Sequence, residues 1–245
     1  MATTEAARSP RGIEGAITRW FMKRATVREC NVLGEQFRLV TLSGDALRGV
    51  KWLPGQKLQV ALGSWAYRTF TPLSWDAEQG STQLLLFLHG EAPASAWGRA
   101  LQVGNSCTLF GPRDSLDLSA LDRPALVFGD ETSFGLAHSM RFTPKGAAGV
   151  RMLFEVTSKQ TARGILDQLG VADVDLVERR PDDAHLNEVE QLAVDQLQTR
   201  SIQSWVLSGK ASSIQRVSKR LRSLGVARGR IRTRAYWAPG KVGLD

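Results

Sequence analysis

Arg68 stands in Y-R-T-F-T-P, between the aromatic Tyr67 and the β-branched Thr69, in a segment whose composition predicts a stiff strand. A guanidinium held that way can place paired, oriented hydrogen bonds on a phosphate, with the Thr69 and Thr71 hydroxyls as further partners. Further along, Q-L-L-L-F-L-H-G reads as an apolar strand ending at His89-Gly90, and Pro93 is suited to open the helix P-A-S-A-W-G-R-A. The free N–H groups of a helix start form a second anion site, here at Ala94 and Ser95. Gly90 lets backbone pass close to a ligand. Two phosphate sites this near each other imply a dinucleotide.

The second half of the chain carries three more groups of this kind. Gly129-Asp130-Glu131-Thr132 falls where an apolar strand turns into a helix, the position of the ligand crevice in doubly wound sheets; with no G-x-G-x-x-G, it reads equally as a capping turn. Thr157, Ser158 and Lys159 follow a second strand and Lys210 a fourth. Hydroxyls and lysines there suit a 2′-phosphate, hence NADPH over NADH, and also read as solvated loop residues. Arg228, Arg230, Arg232 and Arg234 alternate with other residues, so one continuous strand puts all four on one face. That face reads as a landing site for an anion or as a strand edge kept soluble by charge.

Four blocks carry a resemblance. R-T-F-T at Arg68 to Thr71 is similar to the R-x-Y-T flavin motif of the ferredoxin-NADP reductase superfamily, and L-H-G-x-x-P-A-S-x-W resembles the version in siderophore-interacting proteins, the FAD-dependent ferric-siderophore reductases. F-G-D-E-T at Phe128 to Thr132 and A-Y-W-A-P-G at Ala235 to Gly240 resemble that family's G-D-E-T and Y-W-x-x-G, in the family's order. Phe70 departs from the usual Tyr, Phe134-Gly135 from the usual Leu-Pro, and Lys210 from a common acid.

The resemblance implies FAD as cofactor, held by Arg68, Thr69, Phe70, Thr71, His89, Gly90, Ala94, Ser95, Trp97, Asp130, Glu131, Thr132, Tyr236 and Trp237. It implies NADPH or NADH as electron source, with ferredoxin as the alternative donor, and a ferric siderophore as acceptor. Thr132 and Trp237 are then the catalytic residues through position alone, since the sequence of electron transfers needs no general acid or base. The rival readings are an FAD reductase with another acceptor, a flavin or siderophore binder without catalysis, and a nucleic-acid-binding protein, the last leaving the second half unexplained.

The elements that must position these residues divide the chain in two. Ala25 to Val32, Phe37 to Leu42, Lys57 to Leu62, Ala66 to Thr71, Gln83 to His89 and Ser106 to Phe110 read as short strands, with one helix from Ala94 to Leu101, which predicts an antiparallel barrel; the resemblance makes it a six-stranded Greek-key barrel holding FAD. From Ala125 the pattern alternates strand and helix as far as Trp237, which predicts a parallel sheet covered on both faces, an α/β domain of NAD(P)-binding kind. The domains are expected at residues 16–121 and 122–245, after a disordered tail at 1–15. The 245 residues, 42% hydrophobic, suffice for both cores. Thirty-two Lys and Arg against 24 Asp and Glu give +8, which favours anionic partners. Cys30 and Cys107 form no C-x-x-C, and the three histidines have no ligand spacing, so no metal is expected. No apolar run approaches a membrane span and no signal peptide is evident, so the chain is expected to be a cytoplasmic monomer.

Overall fold

The computed structural model describes residues 22–63, 66–90 and 92–240; the expected tail at residues 1–15 lies outside them. The first sheet contains β1 (Met22–Val32), β2 (Phe37–Ser43), β3 (Lys57–Ala61), β4 (Tyr67–Phe70), β5 (Ser74–Asp76), β6 (Ser81–Phe87) and β7 (Ser106–Arg113), paired antiparallel in the order β4-β3-β7-β1-β2-β6-β5. All six expected strands are present, and β5 explains how the sheet closes. β4 pairs with β3, whereas β5, three residues further on, pairs with β6. Pro72 has no N–H to give to a ladder, and Leu73 resumes pairing through its N–H to the Gln83 carbonyl at 2.9 Å. β4 and β5 are thus one bent strand joining the two ends of a six-stranded barrel.

The run Q-L-L-L-F does not alternate because β6 is covered on both faces. Leu84 and Leu86 point into the barrel core with Val27, Val40, Leu58 and Leu109, while Leu85 and Phe87 pack on the opposite side, against the core of the second half. The only described helix of the barrel half with regular α geometry, α1 (Pro93–Ala100), follows β6.

The second sheet is parallel throughout. Its strands β8 (Ala125–Gly129), β9 (Val150–Val156), β10 (Val174–Glu178), β11 (Ser204–Lys210) and β12 (Ile231–Trp237) lie in the order β10-β9-β8-β11-β12. Helices α2 (Phe134–Ser139), α3 (Lys159–Gln168), α4 (Leu186–Arg200) and α5 (Ala211–Ser223) connect them. The apolar faces of the helices pack on the sheet: Leu186, Val189 and Ala193 of α4 and Ile214, Val217 and Leu221 of α5 cover one face with Leu126, Phe128, Trp205 and Leu207, while Leu224, just past α5, stays exposed. Every residue of β8 is buried, as a central strand covered on both sides requires. The strand order reverses between β8 and β11, so the loops after Gly129 and Lys210 flank the crevice. Among the described residues no helix is long and apolar enough to cross a membrane, and no group of three His, Cys, Asp or Glu is placed to hold a metal.

One core joins the two sheets. Phe134, fully buried at the start of α2, stacks on Phe37 of β2 with ring centres 5.9 Å apart and meets Phe154 of β9 edge-on at 5.1 Å. Gly135 then explains the second departure from the family pattern. A Cβ there would lie 3.0 Å from the Thr71 carbonyl, tighter than nine in ten such contacts, so glycine eases the approach of the helix start to the barrel strand. Phe134→Ala is expected to cost about 3–5 kcal/mol, from the lost ring burial and the cavity left, measured by urea unfolding. Because Phe134 belongs to both halves, the loss should fall on both; a variant in which one sheet melts early while the other keeps its midpoint would show the interface to be dispensable.

Candidate functional site

The barrel and the parallel sheet meet at a cleft that is open to solvent. β4 supplies Arg68, Thr69, Phe70 and Thr71; the end of β6 and the start of α1 supply His89, Ala94 and Ser95; the loop after β8 supplies Thr132; the end of β12 supplies Tyr236 and Trp237. Residues from four separate sequence blocks therefore line one cavity. Tyr67, Leu85, Phe87, Ala92 and Gly135 complete it.

Each wall has a local cause. Arg68 is half-buried and donates through Nη1 to the Tyr67 carbonyl at 2.9 Å, which turns its guanidinium along the strand. α1 begins with Pro93, and no side chain caps its N-terminus; Ala94 and Ser95 of its first turn line the cleft, the Ser95 N–H donating to the Ala92 carbonyl at 2.9 Å. Buried Ser95 donates to the His89 carbonyl at 2.8 Å and fixes the strand end. The His89 ring lies against Phe87 at 5.1 Å and Trp237 at 6.2 Å. Burial, with Arg179 nearby, holds its imidazole below the ordinary value against the pull of Glu131, so it is neutral at pH 7. Tyr236 shares a hydrogen bond with the Thr71 hydroxyl at 3.1 Å, and burial pushes its phenol up to about 12.

Four expected ligand contacts are absent from the cleft wall. Trp97 packs with Phe70, 6.3 Å between ring centres, against the barrel core. Gly90 adopts a left-handed φ of 57° outside the lining. Asp130 and Glu131 lie behind the lining, 0% and 4% exposed. Buried carboxylates must find partners, and both do. Glu131 accepts both Nη atoms of Arg179, at 3.1 and 2.8 Å, and also the Thr157 N–H at 2.6 Å. Asp130 accepts the Thr132 N–H at 2.9 Å, the Thr132 hydroxyl, and the Trp237 indole N–H at 2.7 Å. Burial, reinforced by Glu131, pushes the Asp130 carboxyl up to about 6, against the opposing effects of Thr132, Arg179 and Trp237.

The expected nicotinamide residues sit together at the C-terminal edge of the sheet, already engaged. Ser158 caps α3 by accepting the Thr161 N–H at 3.3 Å, and the Thr157 hydroxyl accepts from Arg179 at 3.1 Å. Lys159 is 3.8 Å from Glu188, and Lys210, only 12% exposed at its side chain, is 2.6 Å from Asp183.

The arginine row is shorter than the sequence pattern implied. Arg228 to Arg230 form a 3-10 turn before β12, so alternation begins only at Ile231 and only Arg232 and Arg234 share a strand face. Arg230 instead donates to the Ile202 and Gln203 carbonyls, the latter at 2.6 Å, and Arg232 to the Ala120 carbonyl at 3.0 Å. Arg234 keeps one buried guanidinium nitrogen without a partner.

Sequence reasoning missed Arg179. Its signal was position: it directly follows β10, as Thr157 follows β9 and Asp130 follows β8, so it belongs to the same row of strand-end residues.

Comparison with known proteins agrees with this geometry. Residues 123–240 match the family model described as siderophore-interacting protein, and residues 63–116 match the siderophore-interacting FAD-binding domain. None of the curated proteins matches the sequence. Among solved structures, a siderophore utilization protein from T. fusca is 19% identical with a TM-score of 0.73, covering 91% of this chain and 95% of that one. The siderophore-interacting protein SipS from Aeromonas hydrophila is 17% identical at a TM-score of 0.73, covering 90% and 93%. A ferredoxin NADP+ reductase from Neisseria gonorrhoeae with bound FAD and NADP is 12% identical at a TM-score of 0.69, covering 89% and 99%. At these identities the likeness establishes the shared two-domain fold.

The buried carboxylate makes stability depend on pH in a stated direction. With Asp130 at about 6 folded and 3.8 as its ordinary value, the folded state binds that proton more tightly. Its contribution is therefore fully present below pH 3.8 and lost as pH rises through 6. Relative to Asp130→Asn, which cannot titrate there, the parent chain should lose about 2 kcal/mol of unfolding free energy between pH 4 and pH 7. Urea unfolding of both proteins across that range measures it, and parallel curves would place the titration elsewhere.

Proposed function

Since the chain belongs to the siderophore-interacting protein family, we propose that it is an FAD reductase that takes electrons from NADPH or NADH and delivers them to ferric iron in a siderophore. The carrying observation is the convergence of β4, the uncapped start of α1 and the C-terminal Tyr236-Trp237 on one cleft. Its donor set suits FAD. Arg68 and the first turn of α1 are cationic or N–H donors fit for a pyrophosphate, while Phe87, the neutral His89 ring and Trp237 offer flat surfaces for a ring system.

Bound there, FAD supplies the passage from two-electron to one-electron chemistry. The protein's part is positional. Thr71 and Tyr236 lock the barrel strand to the last strand of the sheet; Thr132 and Trp237 wall the cleft on the sheet side; the neutral His89 adds no charge beside the aromatic wall. Arg234, whose charge bears on Tyr236, and Arg232 on the same face of β12 suit an anionic ferric chelate. Siderophores are oxygen-rich ligands that hold Fe(II) far more weakly than Fe(III), so reduction releases the metal.

The electron donor is read from the strand ends. Thr157, Ser158, Lys159 and Lys210 lie at the sheet edge where doubly wound folds bind nucleotides, and the Neisseria reductase holds NADP. In this chain Glu188 and Asp183 already neutralise the two lysines. The preference for NADPH over NADH is therefore expected to be slight, below about tenfold in kcat/KM, or ~1.4 kcal/mol.

Two measurements test this reading. Arg68→Ala should bind FAD about one to two decades more weakly, as loss of a charge-assisted phosphate contact of roughly 2–3 kcal/mol requires; unchanged flavin affinity would remove Arg68 from the phosphate site. Under anaerobic conditions the purified chain should bleach on adding NADPH or NADH and then reduce ferric chelates, with a reduced-ferredoxin arm run in parallel. Bleaching by ferredoxin alone would reassign the donor. No bleaching with any donor would leave a flavin or siderophore binder.

A further inference from the structure

Asp130 sits behind the cleft, and its two oxygens are engaged from opposite sides. Oδ1 accepts from Thr132 and Oδ2 from the Trp237 indole at 2.7 Å, and Thr132 and Trp237 both line the cavity. One buried group therefore connects the loop after β8 to the end of the edge strand β12, 107 positions away in sequence. The space for it is made by Gly209 of β11. Its φ of 98° is one that side-chain-bearing residues rarely adopt, and a Cβ there would overlap the Asp130 carboxylate. A hydrogen bond to an ionised acceptor is roughly twice as strong as one to a neutral group.

We propose that Asp130 is a positioning residue that acts through the Trp237 indole: its carboxylate fixes the aromatic wall of the cleft, firmly when charged and loosely when protonated. The consequence for cofactor binding rests on reading this cleft as the FAD site. The placement of Trp237 itself does not.

The other charged or titratable groups around the pair come from every neighbouring element. Glu131 adjoins Asp130 in the chain, and Arg179 from the loop after β10 stands 3.9 Å from Oδ2. Tyr236 lies on β12, Lys210 at the end of β11 is over the Trp237 ring at 6.0 Å, and His89 meets that ring from the barrel side. Tyr236 is pushed up to about 12 and stays neutral near pH 6. His89 is the group whose titration could mimic that of Asp130 at this ring, so the experiment must separate the two.

The test is a pH titration of the full chain labelled with 15N, reading the tryptophan indole N–H resonances. Trp237→Phe identifies the Trp237 resonance among those of the seven tryptophans. It should lie downfield above pH 7 and move upfield with a midpoint near 6. In Asp130→Asn it should stop titrating, while in His89→Gln it should titrate as before. A Trp237 resonance that does not move in the parent chain, or that still moves in Asp130→Asn, overturns the proposal. The second arm measures FAD affinity at pH 7.5 by fluorescence for the parent, Asp130→Asn, Trp237→Phe and the double variant. Each single change is expected to weaken binding about tenfold, and the double variant should bind no worse than the weaker single. Losses that multiply would mean that Asp130 does not act through Trp237, and so overturn it. If the parent chain itself fails to bind FAD while the resonance titrates, the cofactor assignment falls and the hydrogen-bonded placement of Trp237 stands.

Discussion

The stack of Phe37 on Phe134 is the contact through which the two halves of this protein become one site. β2 contributes one ring and α2 the other, and Phe154 of β9 closes the far side. A buried aromatic side chain contributes roughly 1.5–3 kcal/mol from its area alone, and the share made between Phe37 and Phe134 exists only when barrel and sheet are docked. The Thr71 to Tyr236 hydrogen bond lies across the same junction and depends on it. So does the cleft, whose walls come from both sheets. Two of the three departures from the family pattern are packing solutions of this kind: Gly135 makes room for the Thr71 carbonyl, and Phe70 turns to Trp97 and the barrel core.

Behind the cleft, the rule that buried charge must be paired governs the arrangement. Three acids at the C-terminal ends of the strands are buried, and each has taken partners from distant segments. Asp130 holds Trp237, Glu131 holds Arg179 and Thr157, and Glu155 accepts from His185 at 2.8 Å and Ser213 at 3.0 Å. The His185 tautomer follows from its other nitrogen. Nδ1 accepts the Arg180 N–H at 3.3 Å, so Nε2 carries the proton given to Glu155. These pairs tie the segments at the C-terminal edge of the sheet to one another behind the cleft.

The same pairing tempers the net charge of +8. Lysines and arginines at the C-terminal edge of the sheet are matched by Asp183, Glu188 and Glu131, while Arg230 and Arg232 spend their donors on carbonyls of neighbouring loops. On β12 only Arg232 and Arg234 share a face, and Arg234 bears on Tyr236 at the cleft wall, so the positive charge there is local rather than a row along the whole strand.

The amino-acid sequence by itself determined the order of strands and helices, the change from antiparallel to parallel architecture, the apolar faces of α4 and α5, and the motifs that line the cleft. Each is a local property, set by hydrophobic period, by turn residues or by a short block such as R-T-F-T. Tertiary structure alone decided which polar residues face the cavity and which support it from behind. Asp130 and Glu131 read as ligand contacts because they adjoin Thr132, yet the fold turns them inward to partners 107 and 48 positions away. Arg228 and Arg230 read as strand residues because alternation continues through them, yet a 3-10 turn interrupts it. Local pattern encodes backbone geometry, whereas the partner of a buried charge is chosen by which distant segments the core brings within 3 Å, and no spacing along the chain records that distance.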